Sequence, residues 1–156
     1  MLFLGYSEHS VDPKQRLAVP AKYRNQWSLD RDGAAWVCIP WPTGHLRLYT
    51  EKEFARLAER GGGESTLATD AVTAEWEASM FSLAERIEPD SAGRLTLPKK
   101  HLEYSGLGTD VAVVGARNRL EVHDLARWKE SEKQRFESLP KLVEKMQGRT
   151  DAAPPR

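Results

Sequence analysis

The chain has 156 residues, with 23 basic and 23 acidic side chains, so its formal net charge is zero. That length is one ordinary domain or two small ones, and two half-chains would each have too thin a core to stand alone, so we expect them to share one. The charge balance argues against a monomer that holds nucleic acid by bulk charge alone. The single cysteine, Cys38, excludes a disulfide framework and a cysteine-based metal site. The apolar start ends at Gly5, too soon for a signal peptide or a membrane span, which predicts a cytoplasmic protein.

The first half of the chain is predicted to run from strand to closing helix. Its pattern of β-forming residues, turn residues and capping residues changes several times before residue 60. The predicted elements are a strand at 2–11, a turn at 12–16, a short strand at 17–19, a short helix at 21–27, strands at 36–39 and 46–48, and a helix after Thr50. A Gly-rich linker at 61–65 follows, and then a helix whose apolar positions Val72, Trp76, Met80 and Leu83 predict a brace between the halves.

The second half repeats this order. The predicted elements are a turn at 90–94, a short strand at 95–97, a helix at 99–104 that ends at Gly106, strands at 111–114 and 120–122, and a helix capped by Asp124. Beyond Arg127 the chain is charged, with Phe136, Leu139, Val143 and Met146 at helical spacing and an interruption expected at Pro140. The repeat predicts that the two halves fold alike.

The most specific signal is a doubled turn motif. Asp12-Pro-Lys-Gln-Arg16 and Asp90-Ser-Ala-Gly-Arg94 lie 78 residues apart (90 − 12), and each is followed by alternating apolar residues and a proline. Asp, Pro and Gly suit a β-turn, and a period of two then aims each Arg away from the core. Gly93 suits a left-handed turn position, so Gln15 in the matching place predicts either a strained turn or a different geometry.

The two arginines are the candidate DNA-binding residues. The guanidinium of Arg16 or Arg94 presents a fixed fork of donors that fits phosphate oxygens or the O6 and N7 atoms of guanine. Asp12 and Asp90 are interpreted mainly as turn-forming residues that also orient the Arg side chains. The alternative for each pair is an ordinary surface ion pair, worth about 0–1 kcal/mol.

Further basic residues surround the two turns. They are predicted to contact phosphates without reading sequence, and the alternative is a solvated charged face. These residues are Lys14, Lys22, Arg24, Lys99 and Lys100, with His101 beside them.

The sequence favours no enzyme, cofactor or metal site. The four histidines show no metal-ligand spacing, and neither a nucleophile elbow nor a phosphate-binding loop is present. The histidines are His9, His45, His101 and His123. Trp76 and Trp128 are interpreted as core residues and Trp41 as exposed, so base stacking by tryptophan is not predicted.

Taken together, the Phe3-Leu4-Gly5 start, the doubled motif and the Leu46/Leu120 strands resemble the MraZ family of bacterial transcriptional regulators. The resemblance covers about residues 1–130 and implies a mainly β fold with short helices: two tandem swapped-hairpin β-barrel halves of the AbrB/MazE (SpoVT) type, related by a pseudo-two-fold axis. It implies the divisions 1–60 and 83–130 for the two halves, 61–82 for linker and bracing helix, and 131–156 for a charged tail. The family usually has Gly where Gln15 stands.

The resemblance also implies a function. It predicts a nucleoid-associated homo-oligomeric ring that binds direct repeats of double-stranded DNA upstream of the division and cell-wall gene cluster, usually as a repressor, with no membrane partner. An alternative is a protein-interaction module of antitoxin type, in which the tail from Ser131 binds a partner protein. RNA binding is a third possibility.

Overall fold

The computed structural model describes residues 1–61 and 70–151, so most of the predicted 61–65 linker lies outside the described residues. The chain falls into two compact units, Met1–Leu125 and Ala126–Arg156. The first unit is mainly β with short helices, as predicted. Within the described part of the chain, no helix combines the length and apolar composition that crossing a bilayer requires.

The predicted elements occur in the predicted order in both halves, but the helix Leu29–Asp32 and the strand Glu85–Ile87 were not predicted. The strands are β1 (Tyr6–Ser10), β2 (Arg16–Ala18), β3 (Trp36–Trp41), β4 (His45–Thr50), β5 (Glu85–Ile87), β6 (Arg94–Thr96), β7 (Asp110–Gly115) and β8 (Leu120–Asp124). The helices are α1 (Ala21–Arg24), α2 (Leu29–Asp32), α3 (Glu51–Gly61), α4 (Ala71–Leu83), α5 (Lys99–Ser105), α6 (Leu125–Glu130) and α7 (Glu132–Asp151).

The strands of the two halves are exchanged. A six-stranded sheet has the order β1-β7-β8-β4-β3-β5, and β2 pairs with β6 in a separate ribbon. β1 of the first half therefore lies against β7 of the second, while β5 of the second half lies against β3 of the first. The first strand of each half completes the hairpin of the other, which confirms the swapped arrangement that the resemblance implied.

The pairing registers obey a pseudo-two-fold axis. In the sheet, Arg47 is paired with Glu121, its counterpart in the repeat, and the neighbouring pairs cross over symmetrically. In the ribbon Leu17 is paired with Leu95, again its own counterpart. Exchanging the halves therefore maps both pairings onto themselves, and the axis passes through the centre of the sheet and the centre of the ribbon.

One core lies between the ribbon and the sheet. Alternation turns Leu17 and Leu95 of the ribbon inward, and both are almost completely buried. They join inward side chains of the sheet and of both halves, including Cys38, Leu46, Leu48, Val111, Val113, Leu120 and Val122. The expectation that the halves share a core is confirmed.

A second, smaller apolar cluster lies on the outer face of β3 and β4. Ile39 and Tyr49 are buried there under Phe54 and Leu57 of α3. This helix begins after Thr50, and the Thr50 hydroxyl accepts a hydrogen bond from the Glu53 amide at 3.3 Å. The Thr50 hydroxyl therefore caps the helix that was predicted to begin after it. The cluster covers part of the sheet face opposite the shared core.

The prediction that the apolar stripe of α4 packs along its whole length is wrong. Met80 packs on the outer cluster, but Val72 is 77% exposed and Trp76 is 42% exposed. Trp76 lies beside Phe81 in an edge-to-face contact and is not a core residue. The spacing correctly predicted a helix, but none of the helix residues is buried: Leu83 is 38% exposed, and of the predicted stripe only Met80 packs on the outer cluster.

Other local predictions need correction. The first strand begins at Tyr6 and not at residue 2, because Gly5 is left-handed (φ 70°), and Phe3 forms an isolated bridge to Arg117. α7 continues through Pro140, where an interruption was predicted. His101 is buried at 4% exposure, with Nδ1 3.3 Å from the Cys38 sulfur, so it is not part of a basic surface.

Candidate nucleic-acid interface

The first turn is built around the Asp12 carboxylate. One oxygen accepts hydrogen bonds from the backbone amides of Lys14 (2.9 Å) and Arg16 (2.8 Å). The other oxygen accepts from Nε of Arg16 at 2.7 Å. The carboxylate thus closes the turn and fixes the root of the guanidinium at the same time.

The second turn repeats this geometry. Asp90 accepts from the backbone amides of Ala92 and Arg94, both at 2.9 Å, and from Nε of Arg94 at 2.8 Å. The backbone bond from Gly93 to Asp90 has the same length, 2.9 Å, as the bond from Gln15 to Asp12. Each Asp therefore closes its turn and also hydrogen-bonds the Arg side chain four residues later.

Gln15 adopts the conformation of the glycine that it replaces. Its φ is 64°, against 74° for Gly93, so both fourth positions are left-handed. Of the two possibilities that the sequence left open, the first turn keeps the shape and carries the strain. The aim of Arg16 is therefore the same as that of Arg94.

Bonding to Asp leaves much of each guanidinium available. The side chains of Arg16 and Arg94 are 28% and 37% exposed. Each uses Nε for its Asp, and an arginine engaged in this way keeps its Nη donors for another acceptor. The carboxylate restricts the rotamers of the long side chain, which reduces the entropy lost when the guanidinium binds a ligand.

The same contacts perturb the two carboxyl groups. The pKa of Asp12 is lowered, first by the Arg16 amide that donates to it, with further contributions from the Arg16 side chain. The pKa of Asp90 is lowered in the same way by Arg94. Both carboxyls are therefore ionised at neutral pH and can keep their arginines in place.

Both arginines lie on one face of the β2/β6 ribbon. Arg16 is paired with Thr96 and Ala18 with Arg94, so the two arginines are diagonal neighbours across the strands, a relation that puts two residues roughly 7–8 Å apart. Leu17 and Leu95 face the core from the other side. The ribbon thus presents two guanidinium groups outward from a rigid, buried base.

The other predicted basic residues are distributed around this ribbon in different ways. Lys14 lies in the first turn, and Lys99 and Lys100 lie on the first turn of α5; all three are exposed. Arg24 of the first half lies over the second turn, since its Cδ is 2.7 Å from the position that a Cβ on Gly93 would take. Lys22 sits over the Tyr23 ring, 4.8 Å from its centroid.

The structure also brings together a cluster that sequence reasoning missed. His45 of β4 and Glu121 and His123 of β8 lie side by side on the outer face of the sheet, and one ligating atom from each is within 4.8 Å of the others. Burial lowers the pKa of His45 to about 4, although the negative charge of Glu121 acts to raise it. Burial acts to raise the pKa of Glu121, but the His123 hydrogen bond and nearby positive charges lower it to about 2.

Comparison with known proteins identifies the family. The MraZ sequence profile, described as "MraZ protein, putative antitoxin-like", matches residues 80–150. A "Transcriptional regulator MraZ" from Heliobacterium modesticaldum is 30% identical over 145 residues, covering 93% of this chain and 96% of the relative. The protein of the same name from Chromobacterium violaceum is 37% identical over 128 residues, covering 80% and 82%.

The chain belongs to the MraZ family.

A third relative, from Frankia alni, is 32% identical over 149 residues, covering 93% of this chain and 96% of its own. It too is named "Transcriptional regulator MraZ". Membership of the MraZ family makes this chain a transcription regulator and not an enzyme. It confirms the family that the doubled Asp–Arg motif indicated.

Proposed function

We propose that this chain is a sequence-specific DNA-binding regulator that reads its operator with the outward face of the β2/β6 ribbon. Arg16 and Arg94 are the reading residues, and Asp12 and Asp90 hold them in position. The single observation that carries the proposal is that two guanidinium groups, each fixed through Nε, share the exposed face of a ribbon whose other face is buried.

The dimensions and chemistry of this face suit duplex DNA. A two-stranded ribbon fits the major groove, and arginine is the residue that most often reads guanine there, through O6 and N7. Lys14, Lys22, Arg24, Lys99 and Lys100 supply contacts to phosphates. These contacts add affinity and salt dependence but carry little sequence information.

A ring of copies accounts for binding by a chain of zero net charge. We propose a closed homo-oligomer that spaces the ribbons to match direct repeats in the promoter of the division and cell-wall gene cluster, and that represses this cluster. Several weak contacts on one DNA molecule then reinforce one another through effective concentration. The family's regulatory role and the duplicated, rigid ribbon support this arrangement.

Gel-shift titrations of Arg16→Ala and Arg94→Ala on promoter repeats test the reading role. We expect each variant to lose about 5- to 150-fold in affinity for its operator, the range that one guanine contact supplies, with unchanged circular dichroism. The matched control is Arg60→Ala, which removes an exposed arginine from the end of α3 and should leave affinity unchanged. Operator affinity that survives both ribbon substitutions would refute the proposal.

Substitution of the residues proposed to contact phosphates should affect DNA affinity in a different way. Lys14→Ala or Lys100→Ala should weaken binding to operator and unrelated DNA equally, and should reduce the slope of log affinity against log salt by about one. The arginine variants should instead weaken preference for the operator. This contrast separates residues that read the bases from those that hold the backbone.

A second candidate function is protein binding of antitoxin type through the tail. Its supporting observation is the exposed apolar series on α7, with Phe136 at 76% and Met146 at 62% exposure. This candidate requires that the tail bind a protein, whereas the ribbon proposal requires nothing of the tail. Its test, deletion of the tail, is set out in the Discussion.

A further inference from the structure

The cluster of His45, Glu121 and His123 occupies the centre of the sheet. Leu46 and Val122, which pair across β4 and β8, face the shared core. By alternation, His45 and His123 lie one step further along on the opposite face, across from each other, with Glu121 two residues before His123. Two imidazoles and a carboxylate from both halves of the chain thus meet at one point.

We propose that His45, Glu121 and His123 form a binding site for a divalent transition metal ion of the zinc type. In a tetrahedral zinc site, bonds of about 2.0–2.1 Å place neighbouring ligand atoms about 3.3 Å apart. Here Nε2 of His123 is 3.0 Å from Oε1 of Glu121, and Nε2 of His45 is 3.6 Å from the same oxygen. Two of the three separations therefore bracket the required value before any ion is bound.

Hydrogen bonds to neighbouring side chains orient the atoms of His45 and Glu121 that point away from the site. Nδ1 of His45 is 3.0 Å from the Thr43 hydroxyl, so Nε2 faces the site. Nε of Arg47 donates a hydrogen bond to this Nε2 at 3.4 Å, and an ion would have to displace it. Nε and Nη2 of Arg119 donate to Oε2 of Glu121 at 2.8 and 2.7 Å, which leaves Oε1 for the site. Hydrogen bonds of this kind orient the ligands in known metal sites and raise affinity.

The burial of the cluster is graded. The side chain of His45 is 8% exposed and that of Glu121 is 13% exposed, whereas that of His123 is 21% exposed. The two more buried ligands are thus the ones that Thr43 and Arg119 orient, and the His123 ring lies nearest the surface. Its exposed side also leaves a position for water as the fourth ligand.

Two features oppose binding and restrict the choice of ion. The two imidazole rings are stacked, with centroids 4.5 Å apart, so the His123 ring must turn about its broad χ2 torsion to aim at a shared ion. The Arg47 guanidinium, whose Cζ is 3.5 Å from the centroid of the Trp41 ring, also lies 3.9 Å from Glu121 through Nε. Together with Arg119 it adds positive charge at the site. Only a cation with a strong preference for imidazole overcomes this charge, which favours zinc, nickel or copper over magnesium or calcium.

Metal binding at this point would join the two halves. His45 comes from the first half and the other ligands come from the second, so the ion would bridge β4 and β8 across the pseudo-two-fold axis. Because the unfolded chain does not present the site, the ion stabilises the folded state.

Titration of the untagged full chain with zinc, followed by calorimetry and by thermal unfolding, tests the proposal. We expect one zinc ion per chain and a melting temperature that rises with zinc concentration, with no response to magnesium. His123→Ala and Glu121→Gln should each weaken zinc binding by more than about 10-fold. Cobalt in place of zinc should give the absorption bands of an imidazole-bound ion, and His123→Ala should remove them.

His9→Ala is the matched control, since it removes a histidine from β1 and should leave zinc affinity unchanged. If a ligand variant fails to fold, His123→Gln, which keeps a polar side chain of similar length, takes its place. The proposal is overturned if the folded wild-type chain shows no zinc-dependent change, or if His9→Ala weakens binding as much as the ligand variants do.

Discussion

At the scale of single residues, the two turns have one shape but different costs. Gly93 adopts a left-handed φ freely, whereas Gln15 holds φ at 64° against the steric preference of a residue with a Cβ. The hydrogen bonds around Asp12 and Asp90 are otherwise matched. The motif therefore tolerates a strained residue because the Asp carboxylate and the ribbon determine the turn.

We expect Gln15→Gly to stabilise the fold by about 0.5–1 kcal/mol, since relief of about 1–2 kcal/mol of strain exceeds the added flexibility of glycine in the unfolded chain. Gly93→Ala should destabilise it, because a Cβ there is strained and meets Arg24 at 2.7 Å. Urea unfolding of the two variants measures both effects. A loss of stability in Gln15→Gly would contradict the assignment of strain.

The residues of the candidate interface could be predicted from sequence because they are local. An Asp, a turn and an Arg four residues later define one another, and the repeat showed that Arg16 and Arg94 belong together. His45 and Glu121 could not be joined in this way, because the pairing of β4 with β8 connects distant parts of the chain. The only signal for the cluster in the sequence is that Glu121 and His123 alternate on one strand and His45 lies on another. This signal predicts a cluster only if the register between β4 and β8 is known.

At the scale of elements, the ribbon is the part on which both halves depend. β2 and β6 have only three residues each, and their stability comes from Leu17 and Leu95, which are 1% and 0% exposed. Neither strand has a partner of its own half in the ribbon. Disturbing either strand should therefore disturb both halves.

We expect Leu17→Ala and Leu95→Ala each to lower the free energy of unfolding by about 2–5 kcal/mol, the cost of emptying a buried leucine site. Each variant should still unfold in one transition, because the core is shared. Thr96→Ala, on the exposed face of the same ribbon, is the control and should change stability by less than about 0.5 kcal/mol. Separate transitions for the two halves would contradict the shared core.

The order of elements was predictable, but their partners were less so. Alternation, turn residues and capping residues correctly located the hairpins of β3/β4 and β7/β8, which are local. That β1 joins β7 and β5 joins β3 follows from no local pattern, and only the family resemblance implied it. The exposure of α4 was missed because helical spacing gives a stripe but not the extent of its contact.

At the scale of the whole molecule, the two candidate functions require different parts of the chain: DNA binding requires the ribbon, and protein binding of antitoxin type requires the tail. The unit Met1–Leu125 contains the ribbon and its core, whereas α7, in the other unit, carries an exposed apolar series. The ring proposed for the regulator and the partner proposed for the tail can therefore be tested by one truncation.

We expect deletion of residues 131–156 to leave operator affinity and the number of copies in the native assembly unchanged, because the ribbon and its core lie outside the deleted segment. Gel shifts and native mass measurements check both quantities. A full-length chain with Leu139→Ser and Val143→Ser controls for the loss of length. Loss of DNA binding in the truncated chain would contradict the ribbon proposal, and loss of a protein partner alone would favour the antitoxin-type function.

The pairing of Arg47 with Glu121 on the pseudo-two-fold axis has a consequence for how the halves recognise each other. If the two halves were identical, positions 47 and 121 would hold the same residue, so two arginines or two glutamates would face each other and repel. In this chain the two positions differ, and Nε of Arg47 lies 3.9 Å from Oε2 of Glu121. Each half therefore matches the charge of its covalent neighbour better than that of a copy of itself, which disfavours pairing with the same half of another chain.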